Sequence, residues 1–140
     1  MLVASDRFGD VDVAEDRVIN FSDGLLGFVD KKRFALIDSG DGGTYFWLQS
    51  IDDAALAFLG VVPFDFFPDY EIDLPPMDEE ALALGNEADL LVLCLLTVIR
   101  DQNLITANLL GPLVINTVKR LGRQVVLTDS GYPVRAPLAA

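Results

Sequence analysis

Asp69, Glu71 and Asp73 stand at i, i+2 and i+4, so on an extended backbone all three carboxylates leave on one side. Such a row supports acid and base chemistry if its surroundings hold two pKa values apart, and it also suits a hard cation such as magnesium. A plainer role is a solvated acidic face, or a docking surface for a basic partner with Tyr70 as its aromatic anchor. The residue inventory favours the plainer role. The chain has no histidine, which removes the usual general base, the Ser-His and Cys-His nucleophile pairs and every histidine metal site. Cys94 is its single cysteine, too few for a structural zinc site or an internal disulfide, and it reads as a buried, inert thiol. No Walker loop, dinucleotide fingerprint or nucleophile elbow is present. No cofactor is expected.

Other clusters read as structural. Asp38 and Asp41 among Gly40, Gly42 and Gly43 lack the alternating ligands and closing glutamate of a calcium loop, so a plain turn is expected. Lys31, Lys32 and Arg33, like Lys119, Arg120 and Arg123, read as solvated basic groups. Tyr45, Phe46 and Trp47 would make a stacking platform for nucleic acid, but core or interface packing is favoured on charge grounds. Asn108 and Asn116 are polar residues in apolar runs, each expected to satisfy nearby backbone, with Asn108 alternatively at a bulge that shapes a site.

The charge ground is the net −12, from 22 acidic and 10 basic residues. That field opposes approach to a phosphate backbone or an anionic membrane and speeds encounter with a basic protein, more so at low salt. Direct nucleic-acid binding is therefore not expected. The acidic first twenty residues exclude a signal-peptide build, and the longest apolar run, Leu90 to Ile99, is half the roughly 20 residues a membrane helix needs. A soluble, cytoplasmic, single domain over residues 1–140 follows as the expectation.

The elements that must position these residues are mostly strands. Phe8–Val13, Arg17–Phe21, Phe34–Asp38, Thr44–Gln49 and Leu56–Val62 alternate or are short apolar runs between turn residues, with a hairpin expected across Ser39–Gly43. Leu25–Arg33 reads as a loop with one helical turn. Pro63 and Pro68 confine Phe64–Phe67 to a sheet edge or a crossover, with the phenylalanines facing the core. Asp78, Glu79 and Glu80 open a two-turn helix that Gly85 ends, and Met77, Ala81 and Leu84 form its apolar face. Leu90–Ile99 reads as a strand buried on both faces. In Leu104–Leu127, Gly111 and Pro112 mark a break, and Leu113–Thr117 and Val125–Leu127 pair as a hairpin whose turn, Lys119–Gly122, uses a positive φ at Gly122. The fold class expected is mainly β, a small antiparallel pseudo-barrel capped by a short α-helix.

Several stretches also resemble, in order, the bacterial flagellar assembly factor family FliW. They are Phe21, Gly24, Leu25, Gly27 and Phe28; Leu48, Gln49 and Ser50; Phe67, Pro68, Asp69, Tyr70 and Glu71; Ile105 to Leu110 with Pro112 and Val114 to Asn116, followed by Gln124 to Leu127; and Tyr132, Arg135, Pro137 and Leu138. Leu26 and Ala136 depart from the proline and histidine expected there. The resemblance covers nearly the whole chain. It implies a helix-capped pseudo-barrel and a non-enzymatic cytoplasmic regulator that binds the translational repressor CsrA and flagellin, freeing flagellin messenger RNA from CsrA. Expected partner-binding residues are Asp69, Tyr70, Glu71, Asp73, Thr106 and Asn108. The alternatives are a chaperone for flagellin alone and a small carboxylate-dependent enzyme.

Overall fold

A computed structural model describes residues 1–40, 42–84 and 90–138. Its strands are β1 (Leu2–Ser5), β2 (Gly9–Asp12), β3 (Val18–Phe21), β4 (Arg33–Asp38), β5 (Tyr45–Ser50), β6 (Ala57–Val61), β7 (Leu90–Ile99), β8 (Leu104–Ala107), β9 (Leu113–Asn116), β10 (Leu121–Gln124) and β11 (Ala136–Pro137). Among the described residues one α-helix occurs, α1 (Pro76–Ala81). Seven strands close a barrel in the order β7-β6-β5-β4-β3-β10-β9, with β9 pairing back onto β7. The ladders are antiparallel except β3–β10, which is parallel over Leu121↔Asn20 and Gly122↔Phe21.

The length of β7 organises the assembly. Its first half, Leu90–Leu93, pairs with β9 and closes the barrel, whereas Leu96–Ile99 pairs with β8 and runs out as a flap. Strand β11 adds two rungs to the outer edge of β8. The walls alternate as a period-2 pattern demands: Leu93, Leu113 and Ile115 face the barrel interior with Phe21, Phe34 and Leu48. Their neighbours Cys94 and Val114 face outward beneath the segments on either side of α1 and after β10. β7 is thus buried on both faces only in its middle. Leu93 and Cys94 are 0% exposed, while Val98 is 57% exposed. A third cluster joins the β1–β2 hairpin, through Val3 and Val13, to Ala35 of β4.

Three local expectations are corrected. The hairpin pairs β9 with Leu121–Gln124 rather than Val125–Leu127, and the turn residue with positive φ is Arg120, at 58°. Gly122 lies within β10, where a Cβ would collide with the Phe21 ring. Of the expected apolar face, Met77 is 72% exposed and Ala81 is exposed, and only Leu84, beyond α1, packs against the core. Leu82, just past the helix, is 1% exposed and does the docking. Gly85 and Asp41 lie outside the described residues. Finally, Pro63–Asp65 forms a 3-10 turn on the expected crossover, where Phe66 and Phe67 pack against the core but Phe64 is 43% exposed.

Several expectations hold. The β4–β5 hairpin forms across the glycine-rich loop, with Ser39 N–H donating to Tyr45 O at 3.2 Å. Phe46 is buried, and Trp47 stacks edge-on with Phe8 under the Arg7 guanidinium, 4.4 Å from the ring centroid. Asn116 satisfies backbone as expected: its amide donates to Leu82 O at 2.9 Å and its carbonyl accepts from Val118 and Lys119 N–H at 3.1 Å. Of the three basic groups expected to be solvated at the β9–β10 tip, Lys119 and Arg120 are exposed, with Arg120 donating to Glu15 O at 3.0 Å. Arg123 departs: it is partly buried and bridges Asp78 at 2.5 Å and Asp23 at 2.6 Å, tying α1 to the barrel.

Candidate functional site

The acidic row sits on the segment that crosses the outside of the barrel from Phe66 to Pro75. That segment has no ladder of its own, so side chains fasten it. Burial alternates along Glu71–Pro75, with Ile72 and Leu74 turned inward and Glu71 and Asp73 exposed. Asp69 is exposed in the turn before them. The spacing therefore does put Glu71 and Asp73 on one side of an extended backbone, outside any sheet.

Tyr70 is the main fastening. It is 4% exposed, and its hydroxyl donates to Leu109 O at 2.6 Å. The Cys94 thiol approaches the same phenol oxygen at 4.0 Å. Burial, more than any other cause, holds the Tyr70 phenol well above its ordinary pKa, and the neighbouring Cys94 and Tyr132 add to it. Burial likewise pushes the Cys94 thiol up to about 12, partly offset by its contact with Tyr70. Both groups are neutral packing groups at physiological pH, as the inert reading of Cys94 expected. Tyr132 completes the fastening. Its ring meets Tyr70 edge-on at 4.7 Å between centroids, and its hydroxyl accepts from Glu71 N–H at 3.0 Å. Nothing in the residue spacing pointed to Tyr132, which is 61 positions from Glu71.

Glu71 and Asp73 form one wall of an open cleft of about 340 Å³, whose other side is built from Val126 to Ser130 and Tyr132. Asp129, at φ 63°, adds a third carboxylate from that side. The site is thus acidic but shallow and solvent-facing. Among the described residues, no group of three or more His, Cys, Asp or Glu side chains is arranged to hold a metal ion.

The other expected partner-binding residues lie elsewhere and are less available. Thr106 is 2% exposed in β8. Asn108 is half-buried just beyond β8; its side-chain carbonyl accepts from Gly111 N–H at 2.9 Å, and its own N–H donates to Leu95 O at 2.9 Å. Asn108 thus shapes the turn before Pro112. Tyr70 presents no exposed ring to a partner, because its position is interior. Of the six residues, Asp69, Glu71 and Asp73 form the accessible surface.

Comparison with known proteins agrees with this architecture. The family model described as FliW protein matches residues 2–138. The flagellar assembly factor FliW of Natranaerobius thermophilus is 41% identical over 140 residues, covering 99% of this chain and 92% of that protein. The flagellar assembly factor FliW of Bdellovibrio bacteriovorus is 37% identical, covering 99% of this chain and 79% of its own length. A crystal structure of the flagellar assembly factor FliW superposes with a TM-score of 0.91 at 36% identity, covering 100% of this chain and 98% of that one. With the barrel, its cover and nearly every residue matched, this chain belongs to the FliW family.

Proposed function

We propose that this chain is a cytoplasmic protein antagonist in flagellar assembly that binds CsrA and flagellin, and so relieves CsrA repression of flagellin messenger RNA. FliW proteins are flagellar assembly factors, not enzymes, which favours a docking role over a catalytic one for the carboxylates of the crossover. The observation that carries this reading is the exposed row Asp69, Glu71 and Asp73, backed by a net charge of −12. An acidic face docked on CsrA would add negative potential beside its RNA-binding surface and repel RNA without filling the same site. No direct nucleic-acid or membrane contact is needed. Among the described residues no helix is long and apolar enough to cross a membrane.

The experiment is a calorimetric titration of the purified chain against CsrA and flagellin from the same organism, at low and at moderate salt. Salt-sensitive binding of CsrA supports the antagonist reading. Binding of flagellin alone would replace it with a flagellin chaperone, and binding of neither would remove both. Replacing Asp69, Glu71 and Asp73 together by lysine is expected to abolish CsrA binding with the circular dichroism spectrum unchanged. Unchanged affinity would take this face out of the mechanism.

A further inference from the structure

Among the described residues, the buried side-chain polar atoms are hydrogen-bonded with one exception. Ser5 Oγ donates to Gln49 Oε1 at 2.7 Å, and Gln49 Nε2 reaches backbone carbonyls including Leu56 O at 3.1 Å. Ser50 Oγ accepts two backbone N–H groups, and Asn116 uses both ends of its amide. Thr106, 2% exposed, is different. Its Oγ1 is buried with no hydrogen-bond partner, the only such side-chain atom among the described residues.

Neither of its neighbours across the sheet satisfies it. Thr106 faces Thr97 of β7 on one side and Pro137 of β11 on the other. Leu138 N–H donates to Ile105 O at 3.0 Å, so the Leu138 and Ile105 backbones face each other. The Thr106–Pro137 pair is then a non-hydrogen-bonded pair, the kind whose side chains lie closest. A proline ring placed there offers neither donor nor acceptor. The same alternation turns the Pro137 nitrogen outward, where it bars any further strand from adding to β11. With β7 on its other side, β8 can take a new strand only where β11 now lies.

The cover is short. It holds β8 through two rungs, the Leu138 N–H bond and a bond from Leu109 N–H to Pro133 O at 3.1 Å. Val134 is 54% exposed, and Arg135 and Pro137 are exposed. The adjoining residue, Tyr132, lines the acidic cleft and holds Glu71, so the cover is continuous with the proposed docking face. On the opposite face of the flap, Val98 and Ile105 form an exposed apolar cross-strand pair, at 57% and 44%.

We propose that Pro133–Leu138 is a displaceable cover, and that an extended segment of a protein partner replaces it as an antiparallel strand on β8. The fitting segment carries a hydroxyl or amide side chain opposite Thr106 and an apolar side chain opposite Ile105. Backbone hydrogen bonds supply the affinity and these two side chains the selectivity. The partner's identity rests on the functional reading above, but the strand exchange does not.

Two synthetic peptides test it, one copying residues 132–138 and one carrying Pro137→Ser, each titrated into the isotope-labelled full chain up to about millimolar concentration, where a tethered strap competes. Expected are release of the Ala136 and Leu138 amides with the Ile105 and Ala107 amides still protected, about tenfold tighter binding of the serine peptide, and loss of that preference in Thr106→Val. No displacement, or equal binding of the two peptides to the unaltered chain, overturns the proposal. Hydrogen exchange on the full chain saturated with CsrA or with flagellin then assigns the partner. The cover is expected to lose protection in one complex while β8 keeps it; an unchanged cover in every complex that forms overturns the proposal as their docking route. Failure of both proteins to bind, with the serine peptide still displacing the cover, overturns the functional reading alone.

Discussion

The Tyr70 hydroxyl donates to the Leu109 carbonyl at 2.6 Å, joining the acidic crossover to the turn after β8 across 39 positions of sequence. Both residues are 4% exposed, so the bond works away from water, where removing one partner leaves the other short of its partner. Tyr70→Phe is expected to lower stability by about 1–3 kcal/mol. Chemical denaturation checks this as a lower midpoint with an unchanged slope.

Gly122→Ala is expected to cost about 1–3 kcal/mol, or to block folding, because the added methyl meets the Phe21 ring in the barrel core. The informative control is Gly131→Ala, where a Cβ has open space but φ is 78°. A smaller loss at Gly131 than at Gly122, measured by thermal unfolding, separates collision in the core from backbone strain at a turn.

Cys94 gives a pH prediction. Its thiol ionises at about 12 when folded, above its ordinary value of 9.0. The unfolded chain therefore loses this proton first, and stability present below about pH 9 is lost as pH rises toward 12. The raised Tyr70 phenol acts with the same sign. Cys94→Ala is expected to flatten the alkaline fall in stability. Thiol labelling of the unaltered chain at pH 8 should be slow until denaturant is added.

Arg123→Ala removes two ion pairs at once, freeing Asp78 at the start of α1 and Asp23 in the loop after β3. The Asp78 side chain is only 16% exposed, so the expected loss is about 1–3 kcal/mol, above that of a surface pair. A double-mutant cycle with Asp78→Ala should show coupling that persists at high salt better than that of the exposed Arg33–Asp52 pair.

Much of this architecture was legible in order along the chain. Short alternating runs bounded by glycine and aspartate marked β3 to β6, because a strand with one wet face writes its period into the sequence. The spacing of Asp69, Glu71 and Asp73 was enough to place Glu71 and Asp73 on one side of an extended segment. Charge and the absence of histidine were enough to point toward a docking surface. Where pairing depended on a distant strand, local pattern misled. Gly122 looked like a turn residue because glycine tolerates positive φ; its actual constraint is the Phe21 ring, about a hundred residues away in sequence. Met77 and Ala81 had helical spacing, yet a helix of six residues docks through the residue that follows it.

The sequence by itself determined that this is a small strand-rich protein with an acidic exposed row, since composition, alternation and charge are properties of the chain alone. Only the tertiary structure decided that Tyr70 is a buried fastening rather than an exposed anchor, that Tyr132 holds Glu71, and that Thr106 lies against a proline without a hydrogen-bond partner. Each of these depends on which strand lies beside which. Partners separated by tens of residues leave no local period to read, and closure of β9 onto β7 is what brings the layers into contact.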